Sequence, residues 1–388
     1  MNLIQKFFLV KIKNKSSRKR FLSPNVHKAN GDQCVDTPDR LNFLQKNCSD
    51  AGAKKVNILG RGAYGIVLKA TYRGHRVAVK VVQLLRRHCI RSLMSEGNIL
   101  DWKHPNIILI HKIVTDTSHG LVIMERITGD NLQVILNSVK MGSSSAVEIL
   151  MQMVSALAFC HQQGIIHGDV KPLNILINLE GKGKFVAKLG DFGSSINLNR
   201  SSQNIDYQGT IRYMSPEALQ AAPPTVKIDI FSLGITMWQM ESRKIPYSEL
   251  SSNEIIAYRV IREGLRPDAV PENPQIPRIL LDEKSLSGTI PSAISSRRIH
   301  SESLLMKNLG NFEGENLPRS LNILLKEAQI ENHQEVTLRK IPWKRIFKED
   351  KWIESEKYRK LYKQCWHEDP SQRPETTTLL QDLQKLQK

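Results

Sequence analysis

An α+β fold in two lobes, a small β-rich N-lobe with one main helix and a larger, mostly helical C-lobe, is predicted by three observations. The chain has 388 residues, more than the roughly 100–200 of one compact domain. Residues Val56 to Val82 are rich in β-branched side chains and broken by Gly60, Gly62, Gly65 and Gly74, the pattern of short antiparallel strands joined by turns. From Ser145 to His161 one apolar stripe runs at helical spacing, and the sequence past the following hairpin reads as mainly helical.

Taken in order, Gln83 to Leu100 places Ile90, Leu93, Gly97 and Leu100 three or four residues apart, as one buried helical face requires. The apolar runs Ile107 to Ile110 and Leu121 to Met124 read as further strands and complete the N-lobe at about residue 127. In the next helix Val147, Leu150, Met151, Val154, Leu157 and Ala158 form the stripe, with a capping box expected from Ser145 and Glu148 and Gly164 beyond the end. A hairpin is expected from Ile175–Ile177 and Phe185–Leu189 around Gly181 and Gly183. The domain is expected to run from 51 to 388, with the C-lobe from about 128. Residues 268–342, rich in Pro, Ser and Asn with one helical stretch at Leu321–Ala328, read as a disordered insertion.

Composition excludes several classes. Hydrophobic residues at 40% and charged residues at 24% are ordinary for a globular chain, not for a collagenous or wholly disordered one. The longest apolar run, Ala156 to Cys160, falls far below the roughly 18–20 residues of a membrane span. The net charge of +18 is partly local: Lys6, Lys11, Lys13, Lys15, Arg18, Lys19, Arg20 and Lys28 precede the first acid. Residues 1–50 therefore read as a solvated basic arm, with no specific nucleic-acid partner expected. Five scattered cysteines without Cys-x-x-Cys pairing point to reduced thiols in the cytoplasm, with nuclear access open.

The chemistry begins at Gly60, Arg61, Gly62 and Gly65, a glycine loop whose backbone N–H groups can approach phosphate oxygens. A dinucleotide turn would need a following helix and a carboxylate about 20 residues on. A strand follows instead, and no Asp or Glu occurs between Asp50 and Glu96. Inside that acid-free stretch Lys80 ends an apolar strand, and Glu96 is its first downstream carboxylate. A lysine held by a carboxylate keeps its charge and can point its ammonium at the α- and β-phosphates of ATP.

His167-Gly168-Asp169-Val170-Lys171-Pro172-Leu173-Asn174 then follows the long helix, Asp191-Phe192-Gly193 follows the hairpin, and Ser215-Pro216-Glu217 comes later. In order and spacing this set resembles the eukaryotic protein kinases. The resemblance covers about Val56–Arg266 and Ile346–Gln387. It implies ATP and Mg2+ as cofactors, Asp169 as catalytic base and Lys171 as neutraliser of charge on the transferring phosphoryl group. Asn174 and Asp191 are implied as metal ligands and Phe192 as the wedge that sets Asp191. Val67, Ala78 and Leu176 would sandwich adenine, Met124 would border its pocket, and Glu125 and Ile127 would lie at the hinge. Thr210 would contact base and substrate, Arg373 would pair with Glu217, and Asp229 would brace the catalytic loop.

Finer features, Lys69–Gly74, Ile235–Met240, Ile245–Ser248, Leu265–Pro267, Cys365-Trp366 and Arg373-Pro374, resemble the Mos family. That resemblance implies a monomeric serine/threonine kinase acting as a MAP kinase kinase kinase on MAP kinase kinase during meiotic maturation of oocytes. A pseudokinase scaffold is the alternative class, opposed by the presence of Lys80, Asp169, Asn174 and Asp191. The insertion and the Tyr213–Glu217 stretch depart from the Mos pattern. Gly168 stands where kinases switched by activation-loop phosphorylation carry Arg, so phosphorylation between Ser194 and Thr210 is expected to be dispensable. Gly97, costing a helix about 1 kcal/mol relative to Ala, is expected to loosen the Lys80 contact or to permit close packing on the sheet.

Overall fold

The computed structural model describes residues 58–62, 65–84, 86–115, 118–181, 183–200, 207–269, 328–330, 341–347 and 355–387. The basic arm at 1–50 and most of 268–342 lie outside these residues. The N-lobe is an antiparallel sheet of β1 (Ile58–Gly62), β2 (Gly65–Tyr72), β3 (His75–Gln83), β4 (Ile110–Thr115) and β5 (His119–Glu125), in the order β1-β2-β3-β5-β4. Gly65 permits the first hairpin to close on β3, because a Cβ there would lie 1.9 Å from the Val81 carbonyl oxygen. One helix, α1 (Arg87–Glu96), packs on this sheet, with Leu93 pressed into the space opposite Gly120.

Three local expectations are corrected. The helix predicted from Gln83 begins at Arg87, because β3 continues to Gln83 in register with His119 of β5, and it ends at Glu96 before a 3-10 turn, Gly97–Ile99. The run Ile107 to Ile110 is mostly not a strand: only Ile110 enters β4, while Ile107 makes a single bridge to Leu189 and Ile108 N donates to the Leu189 carbonyl. These residues are buried at the junction of the lobes, and apolarity without periodicity does not separate strand from buried connection. The Ser145/Glu148 capping box is absent. The long helix α3 starts at Ser143, with Gly142 at the N-cap and no side-chain cap.

Between the lobes, α2 (Leu132–Ser138) is capped by Asn131, whose side chain accepts from Val134 N at 3.0 Å. The C-lobe is built on α3 (Ser143–Gln162) and α5 (Lys227–Ser242), with α4 (Pro216–Leu219), α6 (Asn253–Arg262), α8 (Ser355–Cys365) and α9 (Thr376–Gln387) around them. Every residue of α5 from Ile228 to Met240 is buried, the state of a helix apolar on all sides. α3 is long and apolar enough to cross a membrane by composition, but Ile149, Leu150, Met153, Val154 and Leu157 are fully enclosed in the lobe's core. Short strands β6 (Ile165–Ile166) and β9 (Ile196–Asn197) pair beneath the cleft, and the expected hairpin is β7 (Ile175–Gly181) with β8 (Lys184–Leu189). Gly181 and Gly183 at its turn have φ of +84° and +78°, where glycine alone is unstrained.

Parts of the insertion are ordered into this frame. Ala328–Ile330 forms β10, which pairs antiparallel with β2 at Ala70–Tyr72, so Ala328 is extended and not helical as expected; the rest of the predicted Leu321–Ala328 helix lies outside the described residues. The chain then returns through α7 (Trp343–Ile346), where buried Trp343 donates from Nε1 to Asp130 Oδ2 at 3.0 Å and stacks on Phe347. Phe347 meets Phe185 of β8 in turn. Truncation of this anchor, Trp343→Ala, should destabilise the fold by about 3 kcal/mol, read as a lower urea midpoint at unchanged m-value.

Candidate active site

Alternation along β3 turns Lys80 into the cleft between the lobes, opposite Val67 of β2 and Val122 of β5. Its Nζ donates to Glu96 Oε1 at 2.8 Å and to Asp191 Oδ1 at 2.6 Å. Burial alone would lower the lysine's pKa, but Asp191 and then Glu96 outweigh it and hold the ammonium charged well above its ordinary range. Burial pushes the Glu96 carboxyl up against the opposing pull of Lys80. Asp191 loses some hydration too, yet the adjacent ammonium dominates and holds its carboxyl down to about 2. The expected loosening by Gly97 is not found. An added Cβ at 97 would touch nothing within 4 Å, so close packing is excluded as well, and nothing in the structure explains this glycine.

Asp191 has a left-handed backbone, φ 57° and ψ 71°, which costs a non-glycine residue energy and persists only where neighbours enforce it. Phe192 does so. It is completely buried, with its ring edge-on to His167 at 4.7 Å and to Trp102 at 6.4 Å. His167 Nδ1 accepts from Asp169 N at 3.2 Å, which leaves the proton on Nε2 for the Gly190 carbonyl at 3.0 Å. One imidazole thus links the two aspartate-bearing segments.

Asp169 is buried and fully engaged. Its Oδ1 accepts from Thr210 N at 2.8 Å, and its Oδ2 accepts from Lys171 Nζ at 2.7 Å and Asn174 Nδ2 at 3.1 Å. Lys171 Nζ also donates to Thr210 Oγ1 at 2.5 Å. The loop is held from below by Asp229 on α5, which accepts from His167 N and Gly168 N, each at 2.9 Å, and pairs with His161 Nε2 at 2.8 Å. Burial opposes ionisation of Asp229, but His161 and the loop amides hold its pKa below the usual range. Gly168 has φ +76°, and a Cβ there would lie 2.8 Å from the Ser194 carbonyl oxygen, so a side chain at this position would be strained and crowded. Arg373, completely buried, grips Glu217 through Nη1 at 2.5 Å and Nη2 at 2.9 Å, the pairing expected.

On the other wall Val67, Ala78, Met124 and Leu176 come from four strands, with Ala78 opposite both Lys69 and Met124. Gly60, Arg61 and Gly62 lie in β1 across from Val67, Ile66 and Gly65; the tip of this hairpin and the Arg61 side chain lie outside the description. Glu125 ends β5, and its carboxylate accepts from Leu109 N at 2.7 Å and pairs with Lys188 at 2.9 Å. Ile127 packs as a partly buried residue on the main core.

The donor set fits a hard cation carried in by a ligand. The Asn174 amide nitrogen is spent on the Asp169 carbonyl at 2.8 Å, leaving its oxygen as an acceptor, and the Asp191 carboxylate is the second oxygen donor, partly exposed at its pair with Lys80. Among the described residues no group of three or more His, Cys, Asp or Glu could hold a metal alone. A cation bound by one carboxylate and one amide oxygen must complete its shell with water and phosphate oxygens, as Mg2+ in nucleotide sites does. Sequence reasoning missed His161, Trp102, and Ser95 with Ser195. The two serines were visible only as polar residues, one of them in the turn bearing Glu96.

A buried lysine between two carboxylates, facing a base-and-lysine loop across an interlobe cleft, defines the protein kinase class. A family model described as "Protein kinase domain" matches residues 53–383. Serine/threonine-protein kinase mos of Patiria pectinifera is 31% identical over 277 residues, covering 68% of this chain and 77% of that protein. The proto-oncogene serine/threonine-protein kinases mos of Sus scrofa and Mus musculus are 35% and 34% identical, covering 54% and 66% of this chain and 66% and 79% of their own lengths. The chain belongs to the protein kinase family and, within it, to the Mos serine/threonine kinases.

Two outcomes follow for the Lys80 centre. Lys80→Met and Asp191→Asn should each lower ATP-dependent phosphoryl transfer at least about a hundredfold, measured with labelled γ-phosphate on folded protein. Because the Asp191 carboxyl lies below its ordinary value of 3.8, its ionised form adds stability above that value, lost as pH falls towards 2. The melting difference between wild type and Asp191→Asn should therefore narrow steadily with acidification between pH 5 and pH 2.

Proposed function

We propose that this kinase uses Mg2+ and ATP to phosphorylate seryl and threonyl hydroxyls of a MAP kinase kinase, the place of a MAP kinase kinase kinase in the meiotic maturation of oocytes. The observation that carries the catalytic part is a pair of hydrogen-bonded clusters, Lys80 with Glu96 and Asp191, and Asp169 with Lys171, Asn174 and Thr210, whose segments are joined through His167. When bound, ATP supplies the phosphoryl group and the cation neutralises its oxygens. Asp169, oriented by Thr210 N–H and Asn174, aligns the acceptor hydroxyl and takes its proton as the new ester bond forms and the γ-phosphorus bond to the β-phosphate oxygen breaks, with ADP leaving. Lys171, fixed between Asp169 and Thr210, offsets negative charge that builds on the transferred group. Lys80 holds the remaining phosphates, and Val67, Ala78 and Leu176 enclose the base.

The signalling role is supported by the Mos membership and by the sequence features that resemble that family. Free, buried thiols at Cys89, Cys160 and Cys365 suit a reducing cytoplasm, with nuclear access and a monomeric state as further parts of the reading. Gly168, too crowded for an arginine, supports activity without phosphate on the segment between Ser194 and Thr210. Dephosphorylated protein should keep more than about a tenth of full activity, a deficit under about 1.4 kcal/mol in barrier, in a time course after phosphatase treatment.

The purified chain should phosphorylate a catalytically inactive MAP kinase kinase on serine or threonine, mapped by mass spectrometry, and Asp169→Asn should abolish the signal. Transfer to a generic substrate but not to this one would leave the kinase and remove the pathway assignment. No transfer to either would leave a scaffold.

A further inference from the structure

Glu96 can hold Lys80 only while α1 stays against the sheet, and the helix has little of its own to keep it there. Its N-cap, Arg86, makes no side-chain cap bond, no acid lies in its first turn and no base in its last. Leu93 against Gly120 fixes its middle. Its last turn is fixed by a reciprocal pair of hydrogen bonds. Ser95 Oγ donates to the Ser195 carbonyl at 3.0 Å, and Ser195 Oγ donates to the Ser95 carbonyl at 3.4 Å. Both serines are buried, and the Ser95 carbonyl belongs to the final turn, where it also accepts from the Gly97 N–H.

The pair joins the residue before Glu96 to the segment that starts at Asp191, so it connects both partners of Lys80. It also continues further. Ser194 Oγ donates to the Gln208 carbonyl at 3.2 Å, the Ser194 carbonyl lies against Gly168, and a Cβ on Gly209 would lie 2.4 Å from the Gly168 carbonyl oxygen. Thr210 N then reaches Asp169. One turn before Ser95, Ser92 Oγ is buried without a hydrogen-bond partner among the described residues and would lie 2.3 Å from a Cβ on Gly193. The face that α1 turns to residues 192–195 therefore uses small hydroxyl side chains at close range.

We propose that Ser95 and Ser195 are positioning residues, a neutral latch that holds Glu96 and Asp191 around Lys80 without charged modification of the segment between Ser194 and Thr210. The inference rests on the phosphotransfer reading of the site and names how its active arrangement is kept. Burial makes each bond matter: a hydroxyl removed here leaves a carbonyl that water cannot readily reach.

The test uses full-length, phosphatase-treated protein with Ser95→Ala, Ser195→Ala, the double variant and the conservative Ser95→Thr. Each single alanine should lower kcat/KM for ATP about threefold to tenfold, and the double variant at least about thirtyfold, because either bond alone still restrains the turn. KM for a generic protein substrate should stay unchanged, the melting temperature should fall by only the few degrees that a lost buried hydrogen bond accounts for, and Ser95→Thr should return to within about twofold of wild type. Amide exchange across residues 87–99 should quicken in the double variant. A double variant within twofold of wild type in ATP kinetics and with unchanged exchange would overturn the latch. Should the wild type transfer no phosphate, the exchange measurement still decides it: faster exchange in the double variant upholds the latch, and unchanged exchange refutes it, while the phosphotransfer reading falls separately.

Discussion

The ammonium of Lys80 is the constraint from which the arrangement of the cleft follows. It is nearly excluded from water, as is Glu96, and an unpaired charge so placed would cost several kcal/mol. Its two carboxylate partners come from a helix and from the segment after the β7–β8 hairpin. The charge is satisfied only when strand, helix and segment meet, so one ion cluster selects a single relation among three elements contributed by distant parts of the chain. Apolar packing alone would tolerate several such relations. Here the electrostatic requirement and the Leu93–Gly120 contact agree on one.

The second half of the site is held by a different principle. Asp229 does not touch the side chains of the catalytic loop. It receives backbone N–H groups of His167 and Gly168, so the loop's path is fixed through its main chain. Glycine suits that path, because the positive φ and the nearby Ser194 carbonyl would strain and crowd a side chain at 168, and α5, buried on every side, gives Asp229 a firm base. Arg373 and Glu217 do the same for the start of α4, with five donors of one guanidinium spread over Glu217 and the carbonyls of Lys227, His367 and Glu368.

Much of this was legible in the sequence because the reacting groups are few and their types unusual for their settings. Lys80, ending an apolar strand in a stretch without acids, bonds its first downstream carboxylate, Glu96, and Asp191, while Asp169 bonds Lys171 and Asn174. Arg373 bonds Glu217, and Asp229 holds the loop's backbone. What escaped were interactions that depend on backbone proximity. Ser95 and Ser195 bond to carbonyls, which every residue carries, so no spacing announces them. Trp343 anchors the return path just after the stretch 268–342 whose composition read as disordered, and a single aromatic beside so polar a stretch does not announce a contact with Asp130. Ile107–Ile110 went wrong for the opposite reason: a buried connection can be as apolar as a strand, and the run is too short for its periodicity to tell them apart.

The left-handed backbone at Asp191 narrows what can replace that residue. Short polar side chains that bond locally, aspartate and asparagine, enter this region most readily after glycine, and branched or bulky ones do not. Evolution could thus silence such an enzyme by exchanging one oxygen for an amide nitrogen, leaving the surrounding backbone undisturbed. Descendants retired from catalysis would be recognised by asparagine or glycine there, with the rest of the architecture inherited intact.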